Sequence, residues 1–84
     1  MYKNNLFDAR EGVSNKLINK SFKPLTQERL AKICGVSRQA IWSIESERSM
    51  PSYDLAINIC RVLKKFDPEL KLTDIFPVPR PSLK

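Results

Sequence analysis

Residues 26–51 read TQERLAKICGVSRQAIWSIESERSMP, and the local chemistry of this run decides the fold. Thr26 is a good helix N-cap, because its hydroxyl can accept a bond from a backbone N–H of the first turn. Gln27 to Cys34 follows with Leu30, Ala31, Ile33 and Cys34 at helical spacing, which predicts a short helix with one buried face. Gly35 ends that helix, since glycine enters the left-handed C-cap conformation without a steric penalty, and Val36 can return to the core. Ser37 restarts the chain as a second N-cap. From Arg38 to Ser46 the apolar positions Ala40, Ile41 and Ile44 form a narrow stripe, while Arg38, Gln39, Trp42, Ser43 and Glu47 point elsewhere. The expectation is two short helices joined by a tight turn, the second burying one side and offering the other.

Downstream, Pro51-Ser52 opens another helix, with Ser52 as N-cap and Asp54 in the first turn, where a carboxylate suits the positive end of the helix dipole. Leu55, Ala56, Ile59, Cys60, Val62 and Leu63 give it a broad apolar face to about Lys65, and make it the main buttress. Lys64-Lys65 sits at its C-terminal end, where cations are favourable with or without a phosphate partner. Asp67-Pro68 breaks the chain before a last apolar cluster of Leu70, Leu72, Ile75 and Phe76. The tail PVPRPSLK, with Pro77, Pro79 and Pro81, reads as extended.

Upstream, Val13, Leu17 and Ile18 predict a first core helix over 13–20, with Ser14 as a possible cap. Residues 1–12 read as an arm or the start of a helix, and Ser21 to Leu25 as a loop containing Lys23-Pro24. Five helices around one core, over residues 13–76, and a proline-rich tail over 77–84 make an all-α fold.

A chain of 84 residues buries little more than half of its unfolded surface and supports one core. Its formal net charge is +6, with the basic excess in residues 1–65 and a balance of three against three in 66–84. Such a surface attracts polyanions through its field and through counterion release, so nucleic acid leads the partner classes. The chain contains no His, and Cys34 and Cys60 are far apart on apolar helical faces without CxxC spacing. No metal site, cofactor site or catalytic pair is expected, and the cysteines read as reduced core residues. No apolar run approaches the ~20 residues of a membrane span. No secretory leader is read, so a cytoplasmic, nucleoid-associated protein of a prokaryote or phage is expected.

The run from Thr26 to Ser52 resembles the helix-turn-helix of the phage repressor and Cro type, also called the xenobiotic response element family. The resemblance rests on Thr26-Gln27, Leu30-Ala31, Gly35-Val36-Ser37, Arg38-Gln39, Ile41, Ile44-Glu45 and Pro51-Ser52 at fixed offsets. Two departures stand out. Phe22-Lys23-Pro24 occupies the place of a helix-ending Gly before the Leu-Thr-Gln, with extra residues upstream, and Glu47 stands where the family usually has a Gly. A left-handed Glu47 would cost about 1 kcal/mol, so the helix is expected to end differently or to run a residue longer. Thr73-Asp74-Ile75-Phe76 resembles the short last helix that closes the family's core, and the compact five-helix, lambda-repressor-like domain is the implied fold.

Carried over by position, the resemblance implies that Ser37, Arg38, Gln39 and Ser43 face DNA bases, with Trp42 beside them. Their chemistry is suited to that role, since Gln39 can pair bidentately with adenine, and Arg38 can reach guanine O6 and N7 or a phosphate. Trp42 is expected to lie partly buried over the edge of the core, with a thymine methyl as the alternative contact. Gln27, Arg48, Ser49 and Ser52 are the phosphate candidates, and Gln27 also braces the recognition helix in the family. Arg29 and Lys32 read as solvated, and Glu45 as structural.

These readings point to sequence-specific binding of double-stranded DNA by a transcriptional regulator, expected to be a repressor acting as a homodimer on a palindromic operator. The dimer surface is expected at Leu70 to Phe76 with the tail, or at Met1 to Phe7. The alternatives are an antitoxin or controller protein, or a protein-interaction module, each of which brings in a protein partner. With no reactive-Cys setting, Gly-rich phosphate loop or paired carboxylates, an enzyme is not expected.

Overall fold

The computed structural model describes residues 3–77, so Met1-Tyr2 and the tail from Val78 onward lie outside the described residues. All regular structure among those described is helical: α1 Leu6–Asn19, α2 Gln27–Cys34, α3 Arg38–Glu45, α4 Tyr53–Lys64 and α5 Leu72–Ile75. α2 packs on α3 and α4, α1 touches both α3 and α4, and α5 closes against α4. Between them Leu6, Val13, Leu25, Leu30, Ile41, Ile59, Leu63 and Ile75 lose essentially all solvent contact. Each contributes roughly 1.5–3 kcal/mol of transfer free energy.

Side-chain caps open the three middle helices. Thr26 Oγ1 accepts from the Arg29 N–H at 3.1 Å, Ser37 Oγ from Ala40 at 3.1 Å and Ser52 Oγ from Leu55 at 3.2 Å. Each satisfies one orphan donor of a first turn and adds ~1 kcal/mol. The fold also ends three helices in one way. Ser21, Gly35 and Glu47 take left-handed conformations with φ of 67°, 75° and 64°. In each case the following N–H reaches back to a carbonyl five residues earlier: Phe22 to Leu17, Val36 to Ala31 and Arg48 to Ser43. This is the Schellman closure, and it needs only one residue with positive φ.

α1 starts at Leu6, seven residues before Val13, where the sequence reading begins the first core helix. Leu6, Arg10, Val13 and Leu17 recur every three or four residues and lie on one stripe, with Leu6, Arg10 and Val13 buried and Leu17 packed against the core. The stripe is disguised by a charged residue at Arg10 and by Gly12, whose place in a helix interior costs about 0.5–1 kcal/mol. Burial of Leu6 outweighs that cost. Ser14 is no cap: it lies within α1, buried, and its Oγ accepts the Leu25 N–H at 3.1 Å, pinning the loop that leads into α2.

Two apolar residues assigned to core faces by their spacing are about half exposed, Ile18 at 51% and Ile33 at 52%. α4 carries its expected face, burying Ala56, Ile59, Cys60, Val62 and Leu63. At the C-terminal end Ile75 is buried, and Leu70, Leu72 and Phe76 pack against the core. The chain before α1 is tied there too. The Asn5 N–H donates to the Ile75 carbonyl at 2.7 Å, and Asn5 Nδ2 to the Asp74 carbonyl at 2.9 Å.

Candidate nucleic-acid interface

Burial of Ile41 and Ile44 turns the opposite side of α3 to solvent. Ser37, Arg38 and Gln39 are exposed together at its N-terminal end. Ser37 uses its oxygen to cap the helix, which leaves its O–H free to donate. Ser43 is half-buried one turn later. Trp42 retains 36% of its surface, and the Arg48 guanidinium stacks 5.2 Å from its ring centroid. A cation over an indole face favours both partners. Of the five base-facing residues read from the sequence, Ser37, Arg38 and Gln39 are exposed, while Ser43 is half-buried and Trp42 is partly covered by Arg48.

Beneath this surface lies a buried polar network. Arg10 Nε donates to Glu45 Oε2 at 2.6 Å and its Nη2 to Oε1 at 3.2 Å, with side-chain exposures of only 7% and 4%. Nη1 donates to the Leu25 carbonyl at 2.9 Å and lies 3.1 Å from the Glu11 carboxylate. Gln27 Nε2 donates to Glu45 Oε1 at 2.9 Å, and Gln27 Oε1 receives a long contact from Arg38 Nη1 at 3.5 Å. One carboxylate on α3 thus fixes α1 and the start of α2, and through Gln27 it reaches Arg38 at the start of α3. Glu45 has the structural place that the resemblance implies. Its partner Arg10 is not among the residues that sequence reasoning singles out, although a lone Arg on an otherwise apolar helical stripe is the signal to look for.

The phosphate candidates fall at the two ends of this unit. Gln27 is half-buried and commits an amide hydrogen to Glu45, so its outward-facing donor is the backbone N–H, which has no intrahelical acceptor at the first position of α2. Arg48 and Ser49 follow α3, both with backbone N–H groups on the Ser43 carbonyl, at 2.9 and 3.3 Å. Ser52 is exposed, and its oxygen caps α4.

Glu47 adopts the left-handed conformation itself, so α3 ends at Glu45 and runs no further. The N-terminal segment meets it. Asn4 Nδ2 donates to the Ile44 carbonyl at 2.8 Å, its Oδ1 accepts the Leu6 N–H at 2.9 Å, and its backbone N–H lies 3.4 Å from Glu47 Oε2. One asparagine therefore closes the end of α3 and the start of α1 together. Glu47→Gly is expected to raise the unfolding free energy by about 1 kcal/mol, because relief of the left-handed penalty exceeds the loss of that long contact. For a domain of this size the midpoint of thermal unfolding, read by far-UV circular dichroism, should rise by roughly 4–8 °C.

Cys34 and Cys60 are both free, the first half-buried and the second buried. Burial pushes the Cys34 thiol above its ordinary value, which favours the unreactive neutral form. Among the described residues no group of His, Cys, Asp and Glu is placed to hold a metal ion, and no helix is long and apolar enough to cross a membrane.

A family model described as helix-turn-helix matches residues 25–69, more than half of the chain. The chain belongs to the phage repressor and Cro-type helix-turn-helix family. It is a DNA-binding helix-turn-helix regulator, with α2 and α3 as the motif. No curated protein matches it. The matched span of the helix-turn-helix begins at the buried Leu25, so Asn4 and Arg10, which both hold the C-terminal end of α3, lie outside it.

Proposed function

We propose that the protein is a sequence-specific reader of double-stranded DNA, a transcriptional repressor that acts as a homodimer on a palindromic operator. The observation that carries this reading is the open cluster of Ser37, Arg38 and Gln39 at the end of a helix whose base is locked by Glu45. α3 has eight residues, about 12 Å at 1.5 Å per residue, which suits a major groove ~12 Å wide. In this reading Arg38 and Gln39 discriminate base edges, Ser37 and Ser43 add short contacts, and Trp42 presents its remaining face beside them. Gln27 through its backbone, with Arg48, Ser49 and Ser52, grips phosphates and sets the register.

One such domain spans only a few base pairs, so two copies about 34 Å apart supply the affinity and the two-fold symmetry of the site. The apolar side chains of the Leu70 to Phe76 cluster are directed to the chain's own core. Met50 and Tyr53, 63% and 75% exposed just after Arg48 and Ser49, are the better dimer contacts. Glu47 keeps the left-handed backbone at the position where the family usually has a Gly, which supports an intact turn after α3.

The test is selection from a random double-stranded DNA pool, run on the wild type and on Gln39→Ala at near-physiological salt. The wild type should enrich a palindrome with half-sites about ten base pairs apart. Gln39→Ala should lose one specified position in each half-site and bind the wild-type site more weakly by about 1–3 kcal/mol, or roughly 5- to 150-fold. Enrichment of no motif would exclude an operator reader.

A further inference from the structure

The half-exposed Ile33 is not an isolated apolar residue on the surface. On the side of α2 away from α3, the last turns of α1, the loop before α2 and the end of α4 enclose a groove of about 450 Å³. That volume is within the range of sites that accommodate whole ligands or anchoring side chains. Its floor is apolar, made by Leu17, Phe22, Ile33 and Phe66, of which Phe22 and Ile33 are more than half exposed. Its rim is cationic: Lys16, Lys20, Lys23, Arg29 and Lys65 line it, and among the described residues no carboxylate does. Lys16 has a counter-ion outside the groove, Asp67 at 3.6 Å. Arg29 donates to the carbonyls of Lys23 and Pro24 at 3.1 and 3.0 Å, which fixes the guanidinium without neutralising it.

We propose that this groove docks an acidic amphipathic helix of a partner protein. Apolar anchors spaced i, i+3 or i+4 and i+7 enter the floor, and the flanking Asp and Glu side chains meet the rim. The apolar floor argues against a phosphate backbone, which is met by hydrogen-bond donors and cations and gains nothing from Phe22, Ile33 and Phe66. The chain's own residues 78–84, VPRPSLK, carry two cations and no acid, so their charge is wrong for this rim. A second copy brings a net charge of +6 to a cationic groove. An acidic partner complements both the rim and the whole molecule, and on-rates for such pairs are raised by the field. The groove uses α2 through Arg29 and Ile33 and leaves α3 untouched, so DNA and the helix can bind together.

The test uses the full chain and a fluorescein-labelled 16-residue peptide with Leu and Phe at i, i+4, i+7 and i+11 and mostly Glu elsewhere. A scrambled isomer and an isomer with Lys in place of Glu serve as controls. Fluorescence anisotropy should show binding of the acidic helix and of neither control. Phe22→Ser/Ile33→Ser and, separately, Lys20→Glu/Lys23→Glu should each weaken it by at least about tenfold, the loss typical of anchor residues. Binding to a selected DNA duplex should stay within about twofold in the first of these variants, because its two positions are exposed and apolar. Circular dichroism checks that each variant folds, and either alone suffices to test the groove.

Three results overturn the proposal: no binding of the acidic helix, equal binding of the scrambled isomer, or indifference to both double substitutions. A Lys20→Glu/Lys23→Glu variant that loses duplex affinity with no peptide binding in the wild type makes the rim a phosphate contact instead. Wild-type dimers abolished by Phe22→Ser/Ile33→Ser, again with no peptide binding, make a second copy the occupant. None of the peptide arms contains DNA, so their outcome is separate from that of the operator reading.

Discussion

Arg10→Met is expected to lower the unfolding free energy by about 3–5 kcal/mol, because it leaves the Glu45 carboxylate buried without its cation. The substitution keeps the length and apolar stem of the side chain, so loss of packing is small. What disappears are the two bonds to Glu45, at 2.6 and 3.2 Å, and the bond to the Leu25 carbonyl. Gln27 supplies Glu45 with one remaining donor at 2.9 Å, too little to solvate a charge whose side chain is 4% exposed. For 84 residues at ~0.05–0.15 kcal/mol each the whole domain has about 4–13 kcal/mol, so the variant should be close to unfolding at 37 °C. The intact pair is a different matter, since desolvation nearly cancels its attraction and an apolar pair of like volume can replace it at little loss. Arg10→Met/Glu45→Leu is therefore expected to recover most of the stability while releasing Gln27 and Arg38 from their positions. Urea titrations followed by far-UV circular dichroism measure both variants. A shift below about 1 kcal/mol for Arg10→Met would mean that the pair is solvated and carries no structural role.

The second large effect is expected in the segment before α1, which meets the same end of α3. Leu6→Ala should destabilise by about 2–5 kcal/mol, the range for a fully buried leucine, and Asn4→Ala by ~1–2 kcal/mol through the bonds to Ile44 and Leu6. A free arm could be trimmed without consequence. This segment instead joins α1, the end of α3 and, through Asn5, α5. Truncation to Phe7 should therefore shift the urea midpoint further than either substitution and loosen the loop that carries Arg48 and Ser49. The same titrations decide: an unchanged midpoint after truncation would show that residues 1–6 make no net contribution.

The helix-turn-helix is legible in the sequence because the information that forms it is local. Thr26, Ser37 and Ser52 act on the N–H three residues ahead, and Gly35 needs only its own freedom of φ. The apolar stripe of α4 is likewise written at a spacing of three and four. Family likeness then supplies the roles of Gln27 and Glu45, since neither propensity nor periodicity tells a bracing side chain from a solvated one. The DNA-facing positions follow from the same likeness and from the polarity of Ser37, Arg38 and Gln39.

α1 is harder to read because its stripe contains Arg10, which scores as surface until its counter-ion is known, and Gly12, which scores as a break. Glu47 shows the reverse limit. Sequence reasoning sets its left-handed penalty against a longer helix, and the closure of Arg48 onto Ser43 together with the Asn4 contacts decides for the strained turn.

The sequence by itself therefore determined the helical class, the motif and its caps, because these arise from interactions three to five residues apart. Tertiary structure alone decided that Arg10 meets Glu45 35 residues away, that Asn4 reaches Ile44 40 residues away, and that Phe22, Ile33 and Phe66 share one basic-rimmed groove. Those contacts depend on how whole helices pack. A charge or an aromatic ring takes its role from whichever side chain that packing sets opposite it.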